Sequence, residues 1–317
     1  MEPFVPLLIA FLATAPSSLP LAQTGTPPPG VLPEVLVESS EPRYVAPTRR
    51  DRIGRIWAPV MIDGKGPFRL VLDTGATHSV VNNDVANALG IRPDQRGVTM
   101  LRGITGTATV STIPVRSFEV GDLIIEPAVL PIIADAMGGA DGVLGNEGLK
   151  DKRIVIEFLS DRITITHSRR QPADHGFVPV PIQFGMDGLL TIPSHVGTHG
   201  VVAVIDTGAQ RTLGNMALLR ALQDDHRRDG KRTEVIGASQ AEQDGSSFEA
   251  PPISLGRATI AGAHIIYSDF SIFEHWGLSN KPALIVGMDV LGLLDTLVID
   301  YQRRELQILT AVSLSQR

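Results

Sequence analysis

The stretch Leu70-Val71-Leu72-Asp73-Thr74-Gly75-Ala76 returns later in the chain as Ala203-Val204-Ile205-Asp206-Thr207-Gly208-Ala209, displaced by 206 − 73 = 133 residues. Each copy follows a glycine-bearing turn, Asp63-Gly64-Lys65-Gly66 and Val196-Gly197-Thr198-His199, and each precedes a short helical pattern. Val85 to Leu89 ends at Gly90 with Asn83 or Asp84 as N-cap, and Met216 to Arg228 ends at Gly230 with Asn215 before it. Further matches follow in the same order. Phe118-Glu119-Val120-Gly121 corresponds to Ile253-Ser254-Leu255-Gly256, and Gly142-Val143-Leu144-Gly145 to Leu284-Ile285-Val286-Gly287. Ile154-Val155-Ile156-Glu157-Phe158 corresponds to Leu297-Val298-Ile299-Asp300-Tyr301, and Ile163-Thr164-Ile165 to Leu306-Gln307-Ile308. The offset drifts to 306 − 163 = 143, and the polar stretches Asp224 to Thr233 and Ser239 to Ser247 are the expected home of the extra residues. Two units are too few for a solenoid, which needs at least three. The repeat predicts two homologous lobes about a pseudo-twofold axis.

From about Arg52 onward, short apolar runs such as Phe68 to Leu72 are separated by Gly, Asp and Pro. Runs of this length at close spacing point to a mainly β chain, as barrel or sandwich, with few short helices. The 31 Gly and 23 Pro work against long helices.

A carboxylate at the end of a buried apolar run is costly to ionise and needs hydrogen bonds or a special role. Glycine at the third position permits a sharp turn and a close approach. The threonine hydroxyl can bond backbone groups across an interface. Brought together by a pseudo-twofold axis, Asp73 and Asp206 would share one proton and titrate as a unit. The ionised oxygen can then deprotonate a water while the protonated partner donates to a carbonyl oxygen. That chemistry suits direct addition of water to an amide. One Asp-Thr-Gly alone reads as a turn; two copies, each with a later apolar-apolar-Gly element, favour catalysis over a decayed duplicate.

The paired Asp-Thr-Gly-Ala motifs with Val143-Leu144-Gly145 and Ile285-Val286-Gly287 resemble the aspartic peptidases, and most closely the bacterial retropepsin-like ones in a single-chain, two-lobed arrangement. The resemblance covers roughly Arg52 to Ala311. It implies two pepsin/retropepsin-like β-barrel lobes with the active site between them. It also implies catalytic Asp73 and Asp206, loops locked by Thr74 and Thr207 beside Gly75 and Gly208, and each apolar-apolar-Gly element crossing behind its own loop. A flap over a peptide is implied at Leu101 to Thr107, with Gly103, Ile104, Thr105 and Gly106 at its tip, and an equivalent near Val235-Ile236-Gly237-Ala238. The chain departs from pepsin-like enzymes in having Ala76 and Ala209 after the motif, no tyrosine in the flap and no cysteine.

The first residues read as a targeting segment. Phe4 to Ala15 is an apolar run of signal length, and a cut is expected after Ala22, although Glu2 precedes the run without Lys or Arg and Pro6 interrupts it. Residues 23–51 are proline-rich and aperiodic, as in a linker or a pro-segment. Lobes are expected over 52–170 and 171–317. The product would be an exported protein, periplasmic or secreted, with no stable membrane span after signal removal, acting as a monomer on a peptide or protein substrate.

A net charge of −6 gives no footprint for nucleic acid. The absence of cysteine excludes disulfides, thiol nucleophiles and thiolate metal sites. His195 and His199 have metal-like spacing in a turn without a third ligand, so no metal and no cofactor are expected. His78 and Arg211, just past the motifs, read as exposed polar residues near the cleft, and no Gly-x-Ser-x-Gly elbow supports a serine hydrolase. The alternatives kept are a noncatalytic peptide-binding protein on the same fold and a structural envelope protein.

Overall fold

The repeated apolar run forms a strand in both copies, and its composition explains its place. Lys65–Leu72 lies antiparallel to Trp57–Ile62 and parallel to Gly142–Leu144, with Leu72 opposite Leu144. His199–Ile205 repeats this, antiparallel to Leu190–Val196 and parallel to Ala283–Val286, with Ile205 opposite Val286. A strand flanked by a parallel neighbour is covered on both faces, which is why these ends are apolar without alternation. Leu70, Leu72, Ala203, Val204 and Ile205 are all fully buried.

The computed structural model describes residues 57–92, 97–120, 123–125, 128–134, 139–147, 149–160, 162–223, 231–237 and 242–310, with the backbone of short strands at Phe4–Pro6, Ala10–Phe11 and Val35–Glu38. The chain is mainly β. Its helices among these residues are α1 (Asn83–Leu89), α2 (Met216–Gln223), α3 (Ser271–His275) and α4 (Met288–Leu291). The cap of α1 is Asn82, one residue before the expected Asn83, and its Oδ1 accepts from Val85 N at 3.0 Å. Gly90 closes the helix at φ 80°, where a side chain would be strained. Asn215 caps α2 in the same way, accepting from Leu218 N at 2.9 Å. The expected continuation of α2 through Asp224 to Gly230 lies outside the described residues.

Gly97–Gly103 and Gly106–Val115 form a hairpin whose register closes Gly103 on Gly106, leaving Ile104 and Thr105 as the turn. Lys231–Gly237 and Glu242–Glu249 form the second hairpin at the expected position, with 238–241 outside the described residues. The short strand Phe4–Pro6 runs parallel to the first hairpin, and Ala10–Phe11 runs antiparallel to the second.

A six-stranded sheet joins the copies. Its order is Val178–Pro181, Glu305–Thr310, Leu294–Asp300, Lys152–Glu157, Arg162–His167 and Val35–Glu38. At its centre Lys152–Glu157 pairs antiparallel with Leu294–Asp300, and Val155 stands opposite its own repeat counterpart Val298. Two strands flank this pair on each side, and the outermost match as well: Val35 pairs with Ile165 as Val178 pairs with Ile308. Part of the segment read as linker or pro-segment is therefore a sheet strand. Its run of only four residues, hemmed in by prolines, carries too little periodicity to announce itself.

The extra residues of the second copy also sit elsewhere than expected. Val81 bridges to Ile132 while its counterpart Gly214 pairs with Tyr267, an offset of 267 − 132 = 135. By the next matched strand the offset is 286 − 144 = 142. Most of the insertion thus falls between Tyr267 and Leu284, where α3 lies, rather than in the hairpin region. Ile272 and Phe273 of that helix are buried, so polarity was the wrong guide. Among the described residues no helix is long and apolar enough to cross a membrane.

Candidate active site

Each repeated strand runs straight into its aspartate. Asp73 N donates to Leu144 O at 2.9 Å and Asp206 N to Val286 O at 3.1 Å, so the parallel pairing continues up to the carboxylate. The chain then turns about the side chain. Asp73 Oδ1 accepts from Gly75 N and Ala76 N at 2.8 and 2.9 Å, and Asp206 Oδ1 accepts from Gly208 N and Ala209 N, both at 2.9 Å.

The two loops are held against one another by a reciprocal exchange. Thr74 Oγ1 donates to Ile205 O at 2.7 Å and accepts from Thr207 N at 3.1 Å. Thr207 Oγ1 donates to Leu72 O at 2.8 Å and accepts from Thr74 N at 3.1 Å. All four bonds cross between the copies. Glycine is required here by proximity: a Cβ at Gly75 would lie 2.6 Å from Asp206 Cγ, and one at Gly208 would collide with the Asp73 carboxyl. Asp73, Asp206, Thr74, Gly75, Thr207 and Gly208 are thus gathered in one place.

Both aspartates are fully buried, and their second oxygens, Asp73 Oδ2 and Asp206 Oδ2, take no hydrogen bond from any residue outside the pair. Burial pushes Asp73 well above the usual carboxylate range, and the charge of Asp206 adds to the effect. Burial likewise raises Asp206, to about 6, against the lowering pull of the Ala209 N–H, Asp73 and the Gly208 N–H. Two carboxyls so placed retain a proton between them well above the pH at which a free aspartate loses its own.

A second pair of acids supports these loops, and sequence reasoning missed it. Glu147 Oε1 accepts from Ser79 N at 2.5 Å, and Ser79 Oγ accepts from Gly145 N at 3.0 Å. In the other copy Asp289 accepts from Thr212 N at 3.1 Å and from Thr212 Oγ1 at 2.6 Å, while Thr212 Oγ1 accepts from Gly287 N at 3.1 Å. Burial raises the pKa of both acids. The signal was available: each acid stands two residues after the glycine of its apolar-apolar-Gly element, and Ser79 and Thr212 share the 133-residue offset. His78 is exposed, as expected, whereas Arg211 is half-buried. Their charges bear on Glu147 and Asp289 respectively, each lowering its pKa somewhat. His195 and His199 lie on the hairpin strands Leu190–Val196 and His199–Ile205. No group of three or more His, Asp or Glu side chains that could hold a metal occurs among the described residues.

Of the expected flap residues, Gly103 and Gly106 close the first hairpin, while Ile104 at the tip is fully buried. Residues 58–147 match the aspartyl protease family. The matched segment contains Asp73-Thr74-Gly75-Ala76, the first hairpin and the Gly142–Leu144 strand with Glu147 after it, and the match supports protease-type chemistry. No curated protein matches the chain.

Proposed function

We propose that this protein is an aspartic-type endopeptidase in which Asp73 and Asp206 activate one water at the interface of two pseudo-twofold-related lobes. The observation that supports the reading is the reciprocal threonine exchange, which holds the loops of two buried carboxyls with raised pKa against one another. With one proton on the pair, the ionised aspartate takes a proton from water as its oxygen attacks the peptide carbonyl carbon. The protonated aspartate gives its proton to the carbonyl oxygen, forming a gem-diol. Collapse of the diol breaks the C–N bond as the nitrogen takes a proton from the aspartate protonated in the first step and a diol hydroxyl returns one to the other, leaving a carboxyl, an amine and one proton on the pair. No metal or organic cofactor enters these steps.

A peptide substrate agrees with the hairpins' behaviour toward extended chain. One takes up Phe4–Pro6 and the other Ala10–Phe11 as added strands, the mode by which sheet edges hold peptides. The self-opposed pairing of Val155 with Val298 supports the pseudo-twofold relation, with lobes over about 52–170 and 171–317 and the Val35–Glu38 strand contributed by the preceding arm. The signal reading, with removal of residues 1–22 and export as a soluble monomer, is part of the proposal; N-terminal sequencing of envelope protein tests it. Turnover of an unstructured protein across pH, with and without a statine inhibitor, tests the chemistry. Binding of peptide without hydrolysis at every pH would instead favour the noncatalytic peptide-binding reading.

A further inference from the structure

We propose that α3, carried only by the insertion in the second copy, is the receiver that holds the first hairpin shut across the cleft, with Ile104 as the bolt. This inference rests on the reading of the cleft as a substrate site. Equivalent small apolar clusters lie under the two motifs. That of the first copy contains Val71, Ala76, Val80 and Val143 and draws only on the first copy. That of the second contains the counterparts Val204, Ala209, Leu213 and Ile285, and two additions set it apart. One addition is Phe270, Ile272 and Phe273 from the start of α3; the other is Ile104, which comes from the first copy's hairpin tip. Ser271 Oγ also donates to Ile104 O at 3.4 Å, a long bond from the first residue of α3 to the tip backbone.

The receiver is built to stay in place. Phe273 packs edge-on to Trp276 at 6.0 Å and tilted to Phe270 at 6.4 Å. The chain after α3 is tied down by Asn215 Nδ2, which donates to Leu278 O at 2.8 Å and Lys281 O at 2.7 Å. A hairpin tip carrying one large apolar side chain between two glycines is exposed to water when lifted and dry when docked. The hydrophobic effect therefore favours the docked state. Since Asp73 and Asp206 are fully buried in this docked arrangement, a substrate reaches them only after something moves. The two-residue turn at Ile104 and Thr105, held at one end by its strands and at the other by α3, is the element with a discrete alternative position.

Two measurements test this on the full chain. Amide hydrogen exchange is read over residues 101–108 in wild type, Ile104→Ala and Phe273→Leu. Both variants are expected to exchange faster there, by about tenfold or more, and by well more than in Lys231–Gly237 of the second hairpin, whose Val235 shares the cluster. Unchanged exchange at the tip, or equal acceleration in both hairpins, overturns the latch. The second measurement uses the absence of native cysteine. Oxidised Ile104→Cys/Ser271→Cys is expected to cross-link and lose turnover, with recovery on reduction, and the oxidant should affect neither single variant. Failure to cross-link, or full turnover in the cross-linked form, rejects the proposal. Exchange needs no substrate, so a chain with a docked tip and no turnover would sink the peptidase reading and leave the latch standing.

Discussion

At the scale of single residues, the decisive fact is that each carboxyl has one oxygen satisfied by two N–H groups and one oxygen that no residue outside the pair bonds. Replacing either aspartate by asparagine should abolish turnover, since an amide can neither take the water's proton nor supply one to the carbonyl oxygen; steady-state rates with matched far-UV spectra check this. Stability should move the other way. A folded pKa near 6 for Asp206, against 3.8 free, means the native state holds a proton that the unfolded chain releases. That contribution is fully present below about pH 4 and is lost as pH rises through about 6. The difference is worth roughly 3 kcal/mol. Asp206→Asn is therefore expected to gain Tm over wild type at about pH 7 and to show less gain at about pH 4. Ala76 and Ala209 bring no side-chain donor to the carboxyls. Ala76→Ser or Ala209→Ser, by offering a hydroxyl to the charged form, should shift the basic limb of the kcat/KM profile toward acid; a limb unmoved in both variants would reject that account.

At the scale of elements, the unit repeated in each copy is a strand, a turn about its own aspartate, and a crossing strand whose following acid anchors the loop. Asp289→Ala would leave Thr212 N and Oγ1 without their acceptor and should cost about 1–3 kcal/mol in denaturant unfolding, with the larger loss in kcat. Much of this unit was legible. The apolar runs before Asp73 and Asp206, the turn glycines, the crossing elements and both hairpins all announce themselves through composition and duplication. Glu147 and Asp289 went unread because an acid after a glycine has the look of an ordinary turn until its partner, far away in sequence, is known. The α3 insertion went unread because extra length was sought where the chain is polar, whereas the inserted residues are buried through Ile272 and Phe273. The Val35–Glu38 strand escaped because its register is fixed by Arg162–His167, a constraint no local pattern contains.

At the scale of the whole molecule, the six-stranded sheet makes the copies interdependent. Removing residues 1–22 takes only the short strands Phe4–Pro6 and Ala10–Phe11 from the two hairpins and should lower Tm slightly, while removing residues 1–51 should lower it further, because Arg162–His167 then loses its edge partner as well. Calorimetry on the two truncations checks this. Equal Tm values would mean that the arm contributes nothing to the fold and is dispensable. The threonine exchange adds a second tie, so unfolding is expected to be a single transition in which neither copy melts alone.

The pairing of Lys152–Glu157 with Leu294–Asp300 also sets an order of events while the chain is being made. The partner strand begins 294 − 157 = 137 residues later, so the first copy leaves the ribosome with one edge of its central strand open and its threonine without an acceptor. An open strand edge invites pairing with other chains. The first copy is thus obliged to wait for the second before its loop and its central strand are closed, and Asp73 meets Asp206 only then. On the proposed function, a nascent first copy therefore lacks the second carboxyl that cutting itself or its neighbours would need.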